Sequence, residues 1–179
     1  MSPAKNLEGE HEGITLMLKI LEKVCAKMET KGTVAIAHLE GVVDFFRTFV
    51  DQCHHGKEEE LLFPAILPME RKLINVLLGE HSQGRSHVRA MGQALAQRKK
   101  HEERALAEYA APAQKYIALM TQHIRKENTL LFPMLDQILA KKGQIKLVEG
   151  FEDWEEKEIG KGIHERFQQF LQDLAEVYK

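Results

Sequence analysis

Two stretches of the chain carry the same pair of donor side chains at the same spacing. Cys53-His54-His55-Gly56-Lys57-Glu58 leads into Leu61-Leu62-Phe63-Pro64, and Gln122-His123-Ile124-Arg125-Lys126-Glu127 leads into Leu130-Leu131-Phe132-Pro133. Aligned on Leu-Leu-Phe-Pro, His54 falls on His123, Lys57 on Lys126 and Glu58 on Glu127. A histidine and a glutamate four apart sit one above the other on a helix face. Imidazole nitrogen and carboxylate oxygen both suit a first-row transition metal. A second repeat accompanies the first, because Gly9-Glu10-His11 recurs as Gly79-Glu80-His81. His11 stands 43 residues before His54, and His81 stands 42 before His123. The chain therefore reads as two similar halves, each supplying one lone histidine and one His-x-x-x-Glu pair.

Six donors, His11, His54, Glu58, His81, His123 and Glu127, exceed the four of a tetrahedral zinc site. They suit two ions roughly 3.5–4 Å apart that share carboxylates. The natural division gives His11 and His54 to one ion and His81 and His123 to the other, with Glu58 and Glu127 bridging. Such ions keep open positions for water, O2, NO or peroxide. Nitrogen and oxygen donors with open positions favour iron over magnesium or calcium, with manganese or zinc as the competing occupants.

The other five histidines test this selection. His38, sixteen residues before His54, falls on the opposite face at about 100° per residue. His87, six after His81, is also off the face. His101 lies in a charged turn and His164 in the unrepeated tail. His55 is rotated about 100° from His54. His55, Glu59 and Tyr116 are candidates for supporting a bound metal or its ligand. Tyr116 lies seven residues before His123, on nearly the same helical face.

The elements that must position these groups are helices. Leu, Ala, Glu, Lys, Gln and Met dominate, and apolar residues do not alternate with polar ones over any useful length. Helices are expected over about 7–29, 33–67, 72–100 and 103–140. Breaks fall at Lys31-Gly32-Thr33, at Pro68 and near His101. Lys141-Lys142-Gly143 closes the fourth helix. Pro64 should kink or end the second helix, and Pro112 should kink or split the fourth. Short connections predict an all-α, antiparallel up-down-up-down four-helix bundle. His11 and His81 come early in their helices and His54 and His123 late, so all four should meet at one end. The repeat sets residues 1–143 apart as the bundle. Residues 144–179 are an extension, with the acidic run Glu152-Asp153-Trp154-Glu155-Glu156 starting a fifth helix that packs on the bundle.

Composition narrows the function. The chain has 179 residues, 44% apolar and 29% charged, with a formal net charge of −2. It is long enough for a real core and carries no basic field for nucleic acid or an anionic membrane. No apolar run reaches the ~18 residues of a spanning helix. The N-terminus lacks the apolar core of a secretory signal. Cys25 and Cys53 form no metal-type spacing, so reduced thiols and a cytoplasmic location are expected.

The motifs Glu10-His11, His54-x-x-x-Glu58, Glu80-His81-x-x-Gly84-Arg85 and His123-x-x-x-Glu127, the two pairs each followed by Leu-Phe-Pro, resemble the hemerythrin-like proteins, the HHE cation-binding group. The resemblance covers roughly residues 8–140. It implies a four-helix bundle around two irons with an oxo or hydroxo bridge. The oxygen carriers of this family use a fifth histidine, four residues after the position of His81, and an aspartate in the last motif. Here those places hold Arg85 and Glu127. This four-histidine, two-glutamate pattern is similar to that of relatives tied to iron–sulfur repair, nitric-oxide response and iron sensing. It implies binding or sensing of a small diatomic ligand or peroxide in a protective, sensing or iron-handling role. The alternatives are a di-iron enzyme for peroxide disproportionation or NO reduction, and iron storage or delivery. A structural metal is the plainest reading. No protein partner is named by the sequence.

Overall fold

The structure is a computed structural model that describes residues 2–30, 32–97, 102–160 and 162–179. These residues form six helices and no strand. Helix α1 spans Pro3–Glu29. The Ser2 side chain accepts from the Lys5 amide at 3.3 Å, and Pro3 sits in the first turn, where an absent N–H loses no helical bond. Helix α2 occupies residues 36–66. Ile36–Phe45 is α-helical, Phe46–His55 and Glu58–Leu62 are π-helical, and Phe63–Ile66 is α-helical again. Helix α3 is Arg71–Gln97. Helix α4 occupies residues 102–138, with an α-helical Glu102–Lys126, a π-helical Glu127–Leu131 and an α-helical Phe132–Ile138.

The π-helical turns Glu58–Leu62 and Glu127–Leu131 stand in equivalent places of the two repeats, each directly before Phe-Pro, whereas Phe46–His55 corresponds to an α-helical stretch in the second repeat. A proline inside a helix lacks a donor, and its ring presses on the carbonyl four residues back. A widened turn relieves that pressure while the chain stays helical. Pro64 therefore does not break α2 at once, and the helix runs on to Ile66. Pro112 lies inside Glu102–Lys126 without splitting it. The expected turn at His101 and the basic helix end at residues 98–100 lie outside the described residues.

The four helices form the antiparallel bundle. Helix α3 lies along α4, α1 packs on α4, and α2 on α3. The extension is helical as expected but holds two helices. Helix α5 is Lys141–Trp154, prolonged by a π-helical Glu155–Ile159, and α6 is Ile163–Val177. Lys141-Lys142-Gly143 thus opens α5 instead of closing α4. The break falls at Leu139, whose backbone is extended. Burial of Leu147 and Phe151 against the bundle requires a helix through this stretch. The acidic run at 152–156 consequently lies at the end of a helix, not at its start. Gly160 (φ +89°) and Gly162 (φ +83°) make the turn into α6, a backbone that glycine adopts without strain. Helix α6 lies on α1 and α2. Phe170 comes so close to Gly41 that a Cβ there would stand 2.3 Å from its ring.

Two apolar clusters fill the bundle. The larger contains Ile14, Val50, Val88, Met120 and Ile124. The smaller contains Leu7, Leu62, Leu77, Leu131 and Phe151. Each bundle helix contributes to both, and its conspicuous polar residues fall between. The four histidines therefore meet as a polar layer near one end of the bundle. Leu62, Phe63, Leu131 and Phe132 close the layer from above.

Candidate metal centre

His11 on α1, His54 and Glu58 on α2, His81 on α3, and His123 and Glu127 on α4 converge in that layer, all buried. The histidines form two pairs. His11 Nε2 lies 3.0 Å from His54 Nε2, and His81 Nε2 lies 3.1 Å from His123 Nε2. Each carboxylate spans the pairs. Glu58 places Oε1 3.8 Å from His54 Nε2 and Oε2 3.4 Å from His81 Nε2. Glu127 places Oε2 3.2 Å from His11 Nε2 and Oε1 3.2 Å from His123 Nε2. The aromatic residues of the repeated Leu-Leu-Phe-Pro cross over in the same way. Phe132 stacks on His11 with centroids 5.3 Å apart, and Phe63 on His81 at 5.7 Å.

The outer edge of each ring fixes its tautomer. His54 Nδ1 donates to Glu10 Oε2 at 2.7 Å, and His123 Nδ1 to Glu80 Oε2 at 3.0 Å. His81 Nδ1 donates to Glu59 Oε1 and His11 Nδ1 to Asn128 Oδ1, both at 2.7 Å. With the proton on Nδ1, every Nε2 presents a lone pair to the middle. Both oxygens of Glu58 and of Glu127 are buried without a hydrogen bond. Four lone pairs and two orphaned carboxylates in a dry interior carry a desolvation cost of several kcal/mol per ion unless positive charge sits among them. The donor set fits a pair of cations.

Proton affinities show the same need. Burial opposes charging of His123, yet the Glu127 carboxylate beside it lifts its pKa to about 10. Against the same burial, Glu127 raises His11 and Glu58 raises His81. Burial opposes ionisation of Glu127, but His123 and His11 hold its carboxyl well below the usual range. In the metal-free chain, protons stand where cations would, so uptake of a metal must release them.

Glu10 and Glu80 were visible in the repeat as the residues preceding His11 and His81, yet spacing assigns them no task. Each turns to the histidine of another helix and also takes a lysine: Lys57 binds Glu10, and Lys126 binds Glu80. Lys57, wholly buried, also donates to Glu155 Oε1 of the extension at 2.6 Å. Nothing in the repeat could reveal Glu155, which has no counterpart. Burial disfavours the Glu10 carboxylate, but the His54 hydrogen bond and Lys57 bring its pKa down to about 2.

Of the supporting candidates, Glu59 holds His81 and is itself gripped by Arg85 Nη2 at 2.5 Å. Tyr116 is buried with its ring against Phe46 at 4.4 Å and makes no hydrogen bond to the six converging residues. His55 is fully inside. It stacks on His81 with centroids 3.8 Å apart and planes 16° apart. A ring nitrogen of His55 lies within 4.8 Å of donor atoms of Glu58, His81 and His123. Two imidazoles sharing an ion must have both ring planes pass through it. Rings stacked this way cannot, so His55 is not placed to share an ion with His81. The remaining described histidines stand away from the layer. His38 Nδ1 meets the Tyr178 hydroxyl at 2.9 Å, His87 is partly exposed, and His164 Nε2 lies 3.6 Å from Cys53 Sγ. Cys25 and Cys53 are free and buried, and burial raises both thiols, to about 11 and about 12. No helix among the described residues is long and apolar enough to cross a membrane.

Residues 2–135 match the sequence model of the hemerythrin HHE cation binding domain. The chain is also similar to uncharacterized proteins of Mycobacterium bovis and Mycobacterium tuberculosis. Identity is 22% over 177 residues, covering 98% of this chain and 68% of each relative. Glu155 and the two extension helices lie beyond the span of the family match.

Proposed function

The chain belongs to the hemerythrin HHE cation-binding family, and from that premise we propose that it holds two irons and binds or senses O2, NO or peroxide. His11 and His54 would hold one iron, His81 and His123 the other, and Glu58 and Glu127 would offer a carboxylate to both. The observation that carries this reading is the pair of orphaned carboxylates, each facing one histidine of either pair. A pair of irons so held supplies open positions for a small ligand and exchanges electrons with it.

The chain's own groups do the rest. Glu10, Glu80, Glu59 and Asn128 keep the four Nδ1 protons outward, so the rings arrive as neutral donors. Phe63, Phe132 and the leucines around them exclude water from the layer.

The test is anaerobic iron loading with stoichiometry, followed by absorption spectra before and after air, NO and peroxide. Two irons per chain and charge-transfer bands that respond to one ligand support the reading. One metal per chain, or two ions indifferent to all three ligands, leaves a structural metal instead.

A further inference from the structure

A cavity of about 190 Å³ reaches His55, whose ring stacks on that of His81 in the second histidine pair. Its inner wall is His55, Gly84 and Tyr116, and Arg47, Arg85 and Arg89 stand around it with Asp51. We propose that an external ligand reaches the His81–His123 iron through this cavity, and that the cavity selects a small anion of two or three heavy atoms. This rests on the two-iron reading above and goes beyond it, because O2, NO and hydrogen peroxide are all neutral in free solution whereas the charge around this cavity favours an anion.

Three observations carry the proposal. The first is His55, fully buried and without a hydrogen bond at either ring nitrogen. Its nearest carboxylate, Asp51 Oδ1, is 3.7 Å from Nδ1, too far to bond. A buried polar group is ordinarily paired, so this imidazole lacks a partner that a ligand can supply. Its ring covers that of His81, which places such a ligand beside the second pair and not the first.

The second is Gly84, one helical turn after His81. A Cβ there would already stand 3.4 Å from the Tyr116 ring. Any larger side chain would occupy the cavity. Glycine keeps it open.

The third is charge. Arg85 is engaged by Asp51 at 2.7 Å and by Glu59 at 2.5 Å. Arg47 and Arg89 make no ion pair among the described residues, so the mouth carries an excess of positive charge, which draws anions. The groove beside His11 is larger, about 520 Å³, but Glu8 and Glu12 line it with one lysine, Lys19. Its polar inner groups, His11 and Asn128, already bond each other.

Azide, a three-atom anion, is the probe. Iron-loaded protein and its variants are titrated with azide by absorbance, iron content is read on the same samples, and association rates are measured at low and high salt. Gly84→Val should weaken azide on the order of tenfold by filling the cavity. Arg47→Glu combined with Arg89→Glu, both at exposed positions, should slow association several-fold and remove its salt dependence. NO binding should respond to Gly84→Val but not to the charge reversal. Unchanged azide affinity and rate in the charge-reversed protein, with both irons present, overturns the proposal whatever Gly84→Val does to folding. Azide binding that responds instead to Glu8→Lys with Glu12→Lys assigns entry to the His11 side and also overturns it. Absence of paired iron in the parent protein removes the two-iron reading and this proposal together.

Discussion

His54 and His123 occupy equivalent places in the two halves and are held alike, each by a glutamate that also binds a lysine. Behind the lysines the equivalence ends. Lys57 is wholly buried and is taken from the far side by Glu155. Lys126 is 32% exposed and has Glu80 as its carboxylate partner. The lone histidines differ as well. Position 128 aligns with position 59, so His11 is backed by a neutral amide and His81 by a carboxylate. The repeat thus duplicates what points at the middle, and the surroundings make the halves different. A carboxylate behind an imidazole makes it a stronger donor, and a closed shell fixes its orientation.

Replacing Glu58 and Glu127 together by Ala removes what the halves share, and metal content should fall from two ions per chain to almost none by elemental analysis.

Raising the pH should separate metal-free from metal-loaded protein. His123, His11 and His81 have raised pKa values when folded, so their stabilisation is complete below about 6.5 and is lost as pH rises through those raised values, about 10 for His123. Glu127 is depressed, so its share is present above about 4.5 and is lost in acid. The melting temperature of the metal-free chain should peak between these limits and fall on the alkaline side. The loaded protein, whose imidazoles are already neutral, should not follow it. A metal-free chain equally stable at pH 6 and pH 10 contradicts this account.

Glu10→Gln and Glu80→Gln test the lysines. Loss of Glu10 leaves a buried ammonium with a single carboxylate and should cost about 2–4 kcal/mol in denaturant unfolding. Loss of Glu80 frees a half-exposed lysine to water and should cost about 1 kcal/mol or less. Equal losses mean that the halves are clamped equally.

The smallest change is Asn128→Asp, which gives His11 the same kind of backing as His81. Iron affinity should move little, but two distinguishable iron signals in the Mössbauer spectrum should draw together.

Much of this site could be read in the sequence, for a definite reason. Two copies of one pattern expose each donor by its twin, and α-helical periodicity places each twin on an inner face. His55 reads from the sequence only as a supporting residue about 100° off the face of His54, because that argument assumes one uniform helical turn. The π-helical stretch Phe46–His55 bonds each residue to the fifth before it, so the faces shift and both His54 and His55 turn inward. The crossings of Glu59 to His81 and Asn128 to His11 depend on how helices lie side by side, which spacing within one helix cannot report. Glu155 left no trace because it belongs to a stretch without a twin. The start of α5 was misread because its two lysines are poor helix openers. Burial of Leu147 and Phe151 decided it, and tertiary contacts of that kind override local preference.

The crossed carboxylates bear on the order in which the centre fills. Neither Glu58 nor Glu127 faces one histidine pair alone, so under the proposed two-ion reading an ion at His11 and His54 would draw both into position for an ion at His81 and His123, and occupancy of the first position would favour occupancy of the second. Titration with iron(II) should give a steep isotherm in which chains carrying a single ion are scarce. The protein would pass directly from empty to complete, as a latch with no half-closed position.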